Sequence, residues 1–297
     1  MAMSLKKTPP GKAGPASLPY DVFLNIIDIL ITEAQVCKNA MMWQLFYNHD
    51  AATRLVVWEG PKCPAAPAQD PVQWSRHFNT RLPAQINRMT RSMVHRKFVR
   101  VPRTCHFADD GTSNDELPRI DAWVRPELDY FIPFFSDHDE SRFEEELHFI
   151  QAMLLPTPQA DVLTRSITQI VTPGRCFWCE TNAPGVAALS TLPNLKEAYM
   201  DIGRFNPPEK LPKFDGRLVR IDPNIFLDLR IWSITHGAAF RNLYKPLRKR
   251  GIRLYGYAND VYNPVVEVVG TKRGIRVRYT HNRSGCNCCC DPNMPPH

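Results

Sequence analysis

Glycine is scarce in this chain of 297 residues, at 14 against 27 prolines. That balance excludes a coiled coil, long uninterrupted helices and a glycine-rich nucleotide-binding architecture as the dominant theme. The motifs GxGxxG, GxSxG, HExxH and the P-loop are absent. Long hydrophobic runs are missing too. The most apolar stretch, Val22 to Ile31, carries Asn25 and Asp28 and falls short of the roughly 20 residues a membrane span needs. Lys6, Lys7 and Lys12 precede no apolar segment of the kind a secretory signal requires. No membrane partner is therefore expected. The nine cysteines, an odd number with no such signal, point to free thiols in a reducing compartment, cytoplasm or nucleus.

What is present is globular. Hydrophobic residues make up 43% and charged residues 23%, enough to build a core without covalent staples. The net charge of +7 is unevenly placed. From Arg241 to Arg283 there are eleven Lys/Arg against Asp260 and Glu267, and from Arg81 to Arg103 seven basic residues and no acid. The remainder is acidic, most densely in Asp137 to Glu146. Basic islands of this kind are either solvated faces or a polyanion-binding surface. In the second case Arg248, Lys249, Arg250 and Arg253, with Arg276 and Arg278, would contact nucleic-acid phosphates.

The periodicity divides the chain into a disordered tail over 1–16, a helical region over 17–60, a proline-rich connector over 61–76, an α/β interaction domain over 77–283 and a disordered cysteine-rich tail over 284–297. In the first helix Val22, Ile26, Ile29 and Leu30 recur at helical spacing, with Asp21 at the positive end of the dipole. Met41 to Tyr47 predicts a second helix, Ala84 to Phe98 an amphipathic one, and Glu140 to Leu154 the cleanest of all. Ile120 to Phe135 is strand-like but broken by Pro126 and Pro133.

Short strands then alternate with short helices. Strands are expected at Ser166–Val171, Leu195–Ile202 and Ile252–Tyr257, with helices at Pro184–Leu192 and Ala238–Arg250. Pro246 should kink or divide the last helix and Gly251 should end it. A hairpin closes the series, Val265–Val269 to Ile275–Tyr279, with Ile275, Val277 and Tyr279 alternating against Arg276 and Arg278. The fold class is α+β, a helical N-terminal region followed by strands and helices in the manner of degenerate leucine-rich repeats.

The run Leu18-Pro19-Tyr20-Asp21-Val22, with Ile26, Ile27 and Leu30, resembles the opening helix of an F-box and of the fungal two-E-x-R domain family of F-box-like proteins. Ile86 to Phe98 is similar to that family's N-R-E-S-R helix, Val124 to Phe134 to its P-e-l-D strand, and Leu192 to Ile202 to its later strands. Both E-x-R signatures are degenerate: Asp21 and Phe23 stand in the first, Met89 and Arg91 in the second. The resemblance implies an interaction protein, a substrate-recognition subunit of a cullin–RING ubiquitin ligase. Leu18, Pro19, Val22, Ile26 and Leu30 would anchor a Skp-family adaptor, and the rest of the chain would present a client protein.

Candidate chemistry is thin. Cys176-Phe177-Trp178-Cys179 is a CxxC, and Cys286, Cys288, Cys289 and Cys290 could supply further thiolates. About 100 residues separate the two groups, far from the roughly 15–20 of a zinc ribbon, so no metal is assigned. Asp109-Asp110 suits a turn, His138 lies between acids at an expected helix start, and Cys105 and His106, as neighbours on a strand, point to opposite faces. No residue set names a reaction. The chain is read as a non-enzyme without a cofactor.

Overall fold

The computed structural model describes residues 18–36, 41–48, 51–57, 69–101, 122–133, 158–172, 174–206, 216–258 and 261–280. The chain opens with α1 (Tyr20–Val36), followed by the strands β1 (Met42–Asn48) and β2 (Ala51–Val57). Two helices come next, α2 (Gln69–Ile86) and α3 (Arg88–His95), and then β3 (Val99–Val101), β4 (Ala122–Val124) and β5 (Tyr130–Pro133). The remaining elements are α4 (Pro158–Ser166), β6 (Gln169–Val171), α5 (Ala183–Leu189), β7 (Glu197–Asp201), β8 (Val219–Arg220), α6 (Leu227–Lys249), β9 (Arg253–Ala258), β10 (Val261–Thr271) and β11 (Gly274–Tyr279). Two short 3₁₀ turns, Arg175–Trp178 and Glu180–Asn182, lead into α5. The fold is α+β.

Nine strands form one sheet in the order β2-β1-β5-β6-β7-β9-β10-β11-β8, and β3 pairs with β4 separately. From β1 through β5, β6 and β7 to β9 the strands are parallel, and the order advances in one direction only. Crossovers that always step the same way and share one hand lie on one face of the sheet. The packing agrees. Leu163 of α4, Val186 and Leu189 of α5, and Leu229, Phe240 and Leu247 of α6 share one core with Ile170, Ala198, Leu254, Val268 and Val277 of the strands. The opposite face carries Met42, Val171, Tyr199 and Tyr255, with Tyr130, Ile132 and Tyr257 packed around them.

The three N-terminal helices form a smaller core. Ile27, Ile31 and Ala34 of α1, one stripe at i, i+4 and i+7, bury against Val94, Phe98 and Trp123. The separation between α2 and α3 is chemical. Asn87, with φ −154°, caps α3: its side chain accepts from the Thr90 N–H at 2.9 Å, and its own N–H donates to the Thr90 hydroxyl at 3.3 Å.

Several elements differ from the sequence expectation. Met41–Tyr47 is not helical; β1 occupies it, so the region 17–60 contains a two-stranded ladder as well as α1. Over the stretch 61–76 assigned to a connector, α2 has already begun at Gln69. The single helix expected over 84–98 is two. The broken run 120–135 resolves into β4 and β5 around a turn holding Pro126. Pro246 lies inside α6 without dividing it, and Gly251, at φ +79°, follows its end. The helix expected at 140–154 and the two tails lie outside the described residues.

Candidate functional site

α1 has two apolar sides because its sequence carries more aliphatic residues than one buried stripe can use. Once Ile27, Ile31 and Ala34 face inward, the 3.6-residue period turns Val22, Ile26 and Ile29 outward as a second row, at 40, 44 and 56% exposure, and Leu18, just before the helix, extends it at 53%. Pro19 is exposed beside them, and its carbonyl accepts the first helical hydrogen bond, from the Phe23 N–H at 3.0 Å. Of the five anchor positions expected from sequence, Leu18, Pro19, Val22 and Ile26 therefore stand in the open. Leu30 packs against the small helical core instead, and Ile29 takes its place in the outward row. The i, i+4, i+8, i+11 spacing of that row was legible; which stripe faces out was not, since both read alike.

A second exposed apolar row runs along α2, where Phe78, Leu82 and Ile86 follow one another at i, i+4 and i+8, with Met89 exposed at the start of α3. The Tyr20 hydroxyl, donating to the Met89 sulfur at 3.1 Å, ties the start of α1 to this row.

Behind these rows the unit is locked by a buried ion pair. Arg76 of α2 reaches Asp129 in two parallel bonds, Nη1 to Oδ2 at 2.6 Å and Nη2 to Oδ1 at 2.9 Å, with both side chains at 2% exposure or less. Asp129 also accepts the Met41 N–H at 3.0 Å, the Trp43 indole N–H at 2.9 Å and the Arg125 N–H at 2.8 Å. One carboxylate thus joins α2, the start of β1 and the β4–β5 turn. The helical rows are presented on a fixed base.

The basic residues singled out from sequence lie around the end of α6 and the hairpin, and most act internally. Arg250 donates to the carbonyls of Ser190, Leu192 (2.7 Å) and Pro193 (3.2 Å), clamping the segment after α5. Arg248 donates to the Gly270 carbonyl at 2.9 Å, Arg253 to the Tyr255 hydroxyl at 3.4 Å, and Arg278 pairs with Glu267 at 3.0 Å. Lys249 is exposed, and Arg276 is half-buried opposite Arg220 of β8.

The CxxC lies in the first 3₁₀ turn. Phe177 and Trp178 between the cysteines are buried plugs, Trp178 packing edge-on to Phe240 and Tyr244 of α6. Cys176 is exposed; Cys179 is half-buried, and burial raises its thiol pKa. Among the described residues no group of three or more His, Cys, Asp or Glu side chains is placed to hold a metal ion, and the cysteines at 286–290 lie outside them. No helix among the described residues is long and apolar enough to cross a membrane. Compared with known proteins, the chain matches no protein-family model, no curated protein and no solved structure.

Proposed function

We propose that this chain is a protein–protein interaction module that docks a Skp-family adaptor through the outward row of α1 and recruits a client protein to a cullin–RING ubiquitin ligase. The observation that carries this reading is the exposure of Leu18, Val22, Ile26 and Ile29 along one side of a helix whose other side is fully packed. A rigid amphipathic helix with an unpartnered apolar row is the form of a helix-in-groove contact. The F-box-like resemblance of the same segment supplies the partner. The one-directional strand order supports a leucine-rich-repeat-like scaffold for the rest of the chain. The polyanion reading gains less, because Arg248, Arg250 and Arg278 already spend their donors on carbonyls and Glu267.

Titration of the full chain against a purified Skp-family adaptor tests it. Binding is expected at micromolar Kd or tighter, about 8 kcal/mol, with little dependence on salt. Val22→Asp/Ile26→Asp places two charges on the exposed row and leaves the packed one intact, so it should weaken binding at least tenfold in a chain that still folds. A folded wild-type chain that does not bind refutes the adaptor, and a fall in any measured affinity with rising salt would instead favour the basic islands.

A further inference from the structure

The helices α2 and α3 carry a charge that the described residues do not answer. From Pro71 to Val101 the sequence contains no Asp or Glu. Arg76 is neutralised by Asp129, but Arg81, Arg88, Arg91, Arg96 and Lys97 are all exposed. The side chains of Arg81, Arg88, Arg96 and Lys97 make no ion pair or hydrogen bond among the described residues. Arg91 commits its Nε alone, to the Ala84 carbonyl at 2.9 Å. This is unlike the end of α6, where Arg248 and Arg250 are tied to carbonyls of their own chain.

The same helices leave apolar surface open beside these cations. Phe78, Leu82 and Ile86 form one ridge at i, i+4 and i+8, at 61, 56 and 41% exposure. Arg81, three residues after Phe78, flanks that ridge, and Arg88 stands exposed just past its end. The Phe78 ring is held in place. It stacks on Trp74 at 5.4 Å and meets the edge of His77 at 5.7 Å. An aromatic already fixed by its neighbours gives up little freedom on contact and makes an efficient anchor. Single exposed apolar residues mean little, but a continuous ridge with such an anchor marks an interaction surface.

The chemistry of the surface selects its occupant. The backbone of α2 is spent within the helix, so an added strand would find no edge to pair with. A ridge at i±4 spacing instead fits the groove between the ridges of a second helix. Unpaired cations along the flank favour acids on the partner and oppose bases. A nucleic acid would use the arginines and leave the apolar ridge idle. We propose that α2 and α3 dock an amphipathic helix of a partner protein, its aliphatic residues seated on Phe78, Leu82 and Ile86 and its acidic flank facing Arg81 and Arg88. Such a helix suits the client of the reading above. The surface rests on α2 and α3 alone, however, and uses no residue of the α1 row.

The test measures fluorescence anisotropy of labelled helical peptides against the full chain. The probe is an alanine-rich peptide of about 18 residues, long enough to hold a helix, with leucine at i, i+4 spacing and glutamate on both flanks. Its twin carries lysine in place of glutamate. The glutamate peptide should bind saturably at micromolar concentration, and the lysine twin at least about tenfold more weakly. Phe78→Ala/Leu82→Ala, on exposed positions, should weaken the glutamate peptide at least about tenfold. Arg81→Glu/Arg88→Glu should reverse the preference, so that the lysine twin binds the more tightly; a misfolded chain cannot gain a ligand in this way. Val22→Asp/Ile26→Asp should leave the glutamate peptide unaffected, which separates this surface from the adaptor row. No binding of the glutamate peptide, equal binding of the twins, or a preference that the charge reversal leaves in place overturns the proposal. A single-stranded oligonucleotide that binds more tightly than the peptide, and equally well to Phe78→Ala/Leu82→Ala, would assign the cations to nucleic acid instead. A wild-type chain that dimerises, and becomes monomeric in the same variant, would assign the ridge to a second copy.

Discussion

A carboxylate shut away from solvent must find its hydrogen bonds inside the chain, and Asp129 finds five, two of them from Arg76. The pair is costly to assemble, because both ions lose their hydration, and far more costly to break. Asp129→Asn keeps the shape but leaves the Arg76 charge buried and turns an NH₂ toward donors. It should destabilise the chain by about 3–5 kcal/mol in denaturant unfolding. Arg76→Met added to it should restore part of that loss, since the orphaned charge is then gone. If Asp129→Asn alone is neutral, the pair does not hold the helices to the sheet. In the sequence, Asp129 is one acid among many, at the head of the apolar run Tyr130–Phe135. Its partner lies 53 residues away, and periodicity says nothing about pairs so distant.

At the scale of elements, legibility followed the strength of local signals. The β10–β11 hairpin, β7 and α5 were readable because alternation, a proline at the helix start and a tight turn agreed with the tertiary structure. Over Met41–Tyr47 a short apolar run fits helix and strand equally. Pairing with β5 on one side and β2 on the other decided it. The first half of α6 escaped because Ile231, Ile234, Thr235 and Gly237 weaken helix propensity; Gly237 is buried opposite Ile275, where packing overrides it. The basic island at the end of this helix is best understood as fastening. Arg250 holds the segment after α5, Arg248 and Arg241 hold carbonyls of the β10–β11 hairpin, and all three project from the last turns of α6. Arg250→Met should therefore lower stability by about 1–3 kcal/mol, the worth of charge-assisted bonds to carbonyls, seen as a lower thermal midpoint. Affinity for a polyanion such as heparin should change no more than in Lys249→Ala. A polyanion affinity that drops sharply in Arg250→Met with stability unchanged would return the island to a binding role.

Across the whole molecule, a sheet whose crossovers share one side has two unlike faces. The helical face is sealed by mixed aliphatic and aromatic packing, Trp178, Phe240 and Tyr244 among it, while the other gathers tyrosines from three parallel strands. Tyr130 and Tyr199 meet edge to face at 5.0 Å, and Tyr199 and Tyr255 stack at 5.5 Å. Tyr199 donates to Glu197 at 2.6 Å. Burial raises the phenol pKa of Tyr130 and of Tyr199, and on the helical face it pushes Tyr244 up to about 12. These phenols keep their protons in the folded chain and release them near pH 10 when unfolded. Above that pH the native state binds more protons than the unfolded one, so stability falls as pH rises, by about 1.4 kcal/mol per pH unit for each such tyrosine. Tyr199 and Tyr244 together make about 3 kcal/mol per unit, with Tyr130 acting in the same direction, so two units approach a domain's total stability. Unfolding free energy should thus be flat up to about pH 9.5 and collapse between about pH 10.5 and pH 12. Phenolate absorbance of the buried class should rise together with the loss of far-ultraviolet dichroism, because the tyrosines belong to β5, β7 and α6 and cannot ionise without opening both faces. A buried class that titrates fully while the dichroism stays native would mean that the tyrosine face opens on its own, separately from the core beneath it.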